Sequence, residues 1–279
     1  MIPRLFDISE APHFCSPLAI HVPGVGQSLA SLHDTLKATV LTEGTAHFTA
    51  HRVSKLNAIE RWLLFGVGDY RRALDMLIPS AAPWAHVTLY YSSFFAANAI
   101  LGMFGVWVHT QRIVEVESGS PGSQALRVHR KFTSPSGYGG SHQMFWDFFY
   151  ESCNTIGPWV PPTLQRFTTP VNSDRRWQIR ARNEVNYDSF AAFNASVQFN
   201  STFNPKKLKS LTGDLAMQLD VAEGLLKIGL HFANSFGISS FALDPLGVVG
   251  KRGRVLRALV SKVPPGVTTQ SQLQELLAT

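Results

Sequence analysis

The chain has 279 residues, 45% of them apolar and 16% charged, with 25 Lys and Arg against 19 Asp and Glu. That is enough apolar material for one large core or two modest ones, which excludes a disordered chain. The net charge of +6 favours an anionic partner such as nucleic acid, and the two cysteines, Cys15 and Cys153, exclude a disulfide framework or a CxxC metal site.

The charged fraction lies below the roughly 25% common in globular domains, so part of the surface is expected to meet a partner. No charged stretch followed by an apolar one opens the chain, and a cytoplasmic setting is expected. Residues 1 to 55 read as an irregular arm, with two short strands expected in 36–53 around Glu43-Gly44. His47 and His51 would then share a strand face; without a glutamate to complete HExxH they predict no metal site.

From Leu56 onward Ile59, Leu63, Val67, Tyr70, Leu74 and Leu77 recur at helical steps and define a buried face. Residues 84–104 are apolar or small on nearly every side, as in the central helix of a bundle; Ser92, Ser93 and Asn98 argue against a membrane span at 89–108. Residues 107–132 alternate around Ser-Gly-Ser-Pro-Gly and predict a small β-hairpin, followed by a glycine-rich loop and a short aromatic helix. The last long helix carries Leu211, Leu215, Leu219, Ala222, Leu226, Leu230 and Ala233 on one stripe, and a basic tail with a short terminal helix closes the chain over 237–279. The basic clusters at 205–209 and 250–257 could hold phosphates, though separate clusters of this kind are more often solvated surface.

Residues 176–190, RWQIRARNEVNYDSF, differ from all of these. At about 100° per residue, Arg176, Arg180, Asn183 and Tyr187 form one polar stripe and Arg175, Arg182 and Asn186 a second. Ile179, Ala181 and Val185 leave a thin apolar strip, and Glu184 is the segment's one helical-spacing partner for its arginines. Asn172 or Ser173 is the expected N-cap, with Asp174 in the first turn. Arg176, Arg180, Arg182, Asn183 and Asn186 are therefore candidate nucleic-acid contacts.

The pairing of RNEVNY with a helix containing Tyr90, Tyr91, Phe94, Ala96, Ala97 and Leu101 resembles the HEPN superfamily, over roughly residues 56 to 235. The resemblance implies a mainly α, HEPN-like helical bundle, here over 56–236 with a β-hairpin insertion at 107–140. It further implies a homodimer, in a bacterial defence or toxin-antitoxin setting, that binds RNA or a nucleotide without a cofactor. Arg182 would contact phosphate, but Asn186 and Tyr187 stand where the family's catalytic histidine belongs. Neither side chain exchanges protons well at neutral pH.

The leading expectation is thus an RNA- or nucleotide-binding module. A divergent metal-independent endoribonuclease remains open, using Arg182 with Tyr187 or with a histidine brought in from His86, His109, His129 or His142. So does a protein-interaction component that binds no nucleic acid. Tyr91 and Asn98 are candidate supporting residues, with Asn98 expected to bond Arg182, Asn183 or Asn186 if buried.

Overall fold

The computed structural model describes residues 41–109, 112–117, 124–130, 140–188 and 213–236, with 15, 190, 192–194 and 197. The glycine-rich loop, the basic clusters at 205–209 and 250–257, the C-terminal tail, Leu211 and residues 1–40 of the N-terminal arm apart from Cys15 lie outside the described residues.

Helix α1 spans Ala46–Asp75. Thr45 caps it, its hydroxyl accepting the Phe48 N–H at 3.2 Å, after a turn through Gly44 at φ 89°. The six apolar residues expected on one face, from Ile59 to Leu77, are all buried. The strand expected around residues 46–53 is instead the first two turns of this helix. A capped N-terminus and a buried face that includes Phe48, His51, Arg52 and Lys55 outweigh the β preference of its branched residues. His47 and His51 consequently lie on a helix, and His51 is buried edge-on against Trp107 at 6.4 Å. No cluster of three or more metal-ligating side chains occurs among the described residues.

Helix α2, Ala82–Met103, is central: α1 and two later helices, Trp177–Tyr187 and Gly213–Ser235, pack on it, and fifteen of its residues are buried. Ser92 fixes it to α1 by donating to the Gly66 carbonyl at 2.7 Å. No described helix is long and apolar enough to cross a membrane.

Gly105, at φ 78°, turns the chain from α2 into β2, Val106–His109. Strands β3, Arg112–Glu117, and β4, Ala125–Arg130, form the expected hairpin, with Val114 opposite Val128. The sheet is larger than expected: β2 pairs with β3, and the two-residue β1, Leu41–Thr42, pairs with β4, giving an antiparallel order β1-β4-β3-β2. Below it Lys55 is fully buried, its Nζ 5.3 Å from the Trp107 ring centroid, and burial pushes its amine down to about 7.

Helix α3, Ser141–Ile156, buries Phe145, Trp146, Phe148 and Phe149 and meets α2 through aromatic contacts. Short 3-10 turns cover the proline-rich stretch to Ser173 and lead into α4, Trp177–Tyr187. Helix α5, Gly213–Ser235, returns along α1 and α2 and buries Leu215, Ala222, Leu226, Leu230 and Ala233. The described residues are mostly helical with one small antiparallel sheet.

Candidate functional site

Helix α4 starts later than its sequence suggests. Asn172 and Ser173 adopt left-handed φ values of 52° and 60°, so neither caps the helix; Asp174 instead accepts the Arg176 N–H at 2.9 Å. Only Trp177, Gln178, Ile179 and Ala181 of the helix are buried. Hydrophobic burial alone is therefore a weak anchor, and ion pairs to neighbouring elements supply the rest.

Three arginines are occupied by those ion pairs. Arg176 grips Asp147 of α3 with two donors, Nε to Oδ1 at 3.3 Å and Nη2 to Oδ2 at 2.6 Å. Arg175 reaches Glu151 one turn further along α3 at 2.7 Å. Arg180 pairs with Asp174 at 2.5 Å and lies 3.9 Å from Glu184. The expectation that Arg176 and Arg180 present free charge to a nucleic acid thus meets a physical obstacle: Asp147 of α3 pairs with Arg176, and Asp174 and Glu184, local to α4, face Arg180.

Arg182 is different. Its Nη1 donates to Asn183 Oδ1 at 2.8 Å and its Nη2 to the Tyr91 hydroxyl at 3.1 Å, while its buried Nε–H has no partner among the described residues. The guanidinium carbon lies 5.4 Å from the Tyr90 ring centroid and 5.7 Å from that of Tyr91, within cation–π range. No carboxylate among the described residues forms an ion pair with it. Tyr91 thus contacts Arg182 through both its hydroxyl and its ring.

The same tyrosine pair brings in His142, at the start of α3. Trp146 Nε1–H donates to the Tyr90 oxygen at 3.3 Å, which leaves the Tyr90 proton for His142 Nδ1, 2.6 Å away. In that arrangement the neutral imidazole carries its own proton on Nε2. Burial, with the positive Arg182 as a lesser cause, holds His142 below the usual imidazole value, so it is neutral at pH 7.

Of the histidines that could substitute for the missing one, His142 is the one that shares Arg182's surroundings. His86 is buried elsewhere against Gln218 of α5, at 2.8 Å. The side chains of His109 and His129 lie outside the described residues.

Other candidates stand apart. Tyr187 is 76% exposed and, five residues on, about 140° around α4 from Arg182, so the two are not brought together. Asn186 is exposed near the end of the helix. Asn98 is buried but donates to the Phe94 carbonyl of its own helix at 2.7 Å, which replaces the expected bond to Arg182, Asn183 or Asn186. Sequence reasoning named Tyr90 only as part of the helix motif and missed Trp146, Asp147 and Glu151; the 24- and 29-residue separations of the α3 pairs carry no local signal.

Set beside known proteins, the chain matches no family model, no curated protein and no solved structure.

Proposed function

We propose that the protein is a HEPN-like RNA- or nucleotide-binding module in which Arg182 is the principal phosphate contact. One observation carries this reading: among the arginines of residues 175–182, Arg182 alone lacks a carboxylate partner among the described residues, yet it is held in place by Tyr91, Asn183 and two aromatic rings. A guanidinium pre-oriented in this way, with donors to spare, suits a phosphate oxygen. The sequence resemblance adds the dimeric, defence-associated setting to the proposal.

The test is a labelled-RNA titration in EDTA at several salt concentrations, comparing the protein with Arg182→Ala and Arg182→Lys. Loss of one phosphate contact lowers the slope of log K against log salt by about 0.7 for a single strand. The alanine variant should show that drop and the lysine variant should retain part of the contact. Unchanged binding in Arg182→Ala, with its melting curve intact, would remove the basis of the proposal and favour a protein partner.

The placement of His142 favours a second reading, a metal-independent endoribonuclease. A neutral imidazole beside a phosphate-binding arginine can, with its own proton on Nδ1 and Nε2 free, take the proton of a 2′-hydroxyl, and the imidazolium so formed can return it to the departing 5′-oxygen. Cleavage in EDTA that disappears in His142→Ala while RNA is still bound would establish it. Binding without cleavage leaves the module.

A further inference from the structure

Helix α2 is covered on most sides, but one stripe is less so: Trp84 is exposed and Thr88, Tyr91 and Phe95 are half-buried, at steps of four, three and four. From Arg182 the rings continue without a break. Tyr91 lies 6.4 Å from His142 and 6.3 Å from Phe95, Phe94 lies 4.7 Å from His142 and 6.1 Å from Phe95, and Phe95 lies 5.5 Å from Phe65 of α1. Phe65 ends the run with 55% of its surface exposed. Successive rings thus lie within the usual range of aromatic contact, and one end of the strip is a guanidinium without a carboxylate.

Resting on the phosphate reading at Arg182, we propose that this strip is a stacking track for the bases of a single-stranded RNA whose backbone is held at Arg182. A single strand supplies both complements at once, a phosphate for the cation and π faces for the rings, whereas a duplex keeps its bases stacked on one another. A second copy of this chain fits less well. A two-fold interface brings the same patch to itself, and Phe65, Phe94, Phe95, Tyr91 and His142 offer no anion to Arg182. Asp69, one turn beyond Phe65, is already bound by Arg72 at 3.0 Å.

The experiment measures anisotropy of a labelled 12-nucleotide RNA, as a single strand and as a duplex, on the full chain and on Phe65→Ala and Arg182→Ala. Sedimentation of each protein is run alongside. Phe65 is exposed, so its truncation spares the core. The expected result is tighter binding of the single strand than of the duplex, and a loss of about 5- to 100-fold for the single strand in Phe65→Ala with an unchanged salt slope. Equal binding of both RNAs with no effect of Phe65→Ala, while Arg182→Ala still weakens them, overturns the track and leaves the phosphate reading standing. Failure of either RNA to bind the unaltered protein overturns both. If Phe65→Ala splits a dimer and leaves RNA affinity intact, the strip belongs to a second copy and the inference falls.

Discussion

Truncating Arg176 to alanine separates a structural arginine from a binding one. Asp147 is 9% exposed and its carboxylate is met by two donors of Arg176. Breaking a fully buried pair costs about 3–5 kcal/mol, and losing a hydrogen bond to a charged group about 1.5–3. The Arg176 side chain keeps about 30% of its exposure, so water enters part of the gap and the lower range applies: about 2 kcal/mol. With a urea m-value of about 2 kcal/mol/M, the unfolding midpoint falls by about 1 M. In the RNA titration the salt slope should fall by less than the roughly 0.7 of a lost phosphate contact, because the partner of this guanidinium is Asp147 and only the salt dependence of that pair is removed. A variant that keeps its midpoint within 0.2 M but loses RNA affinity would refute the assignment and restore Arg176 to the binding surface.

Two other perturbations report on the core. Lys55 is buried with its amine held near 7, against 10.5 when exposed, so between those values the unfolded chain carries a proton that the folded one does not. Stability should therefore rise with pH across that window, by at most about 1.4 kcal/mol per unit; the difference between the protein and Lys55→Met in urea titrations at pH 7, 8 and 9 isolates it, and a flat difference would refute it. A Cβ at Gly224 of α5 would sit 2.3 Å from the Phe167 ring, so Gly224→Ala should lower the melting temperature, overpacking at about 1–3 kcal/mol exceeding a helix-propensity gain of about 1. An alanine variant as stable as the parent would show that Phe167 moves aside freely.

The long helices were legible because burial leaves a period in the sequence: the described residues of the α1 and α5 stripes are buried, save Leu219, which is partly covered. The start of α1 was not, since Thr45, Thr49 and Val53 satisfy a strand pattern until the Thr45 cap is recognised. At the site, the density of Arg and Asn around Arg182 was visible. Which arginine stays unpaired was not, because it depends on Asp147 and Glu151 arriving from another helix. The nearness of His142 to Tyr90 has the same cause, 52 residues of intervening chain. Asn98 shows the opposite error: a buried amide needed a partner, and its own helix supplied one.

The ion pairs that seat α4 give salt two ways to act. Arg175, Arg176 and Arg180 tie this helix and its left-handed lead-in at Asn172 and Ser173 to Asp147, Glu151 and Asp174, and all three arginine side chains remain at least 30% exposed. At 0.1 M the screening length is about 10 Å, and it shortens as salt rises. On the proposed reading, added salt competes for a phosphate at Arg182 and also slackens the mounting that aims its guanidinium. A slope of affinity against salt measured on this protein would count more charges than touch the ligand. The excess should shrink when a neutral, well-packed contact replaces the Arg176–Asp147 pair.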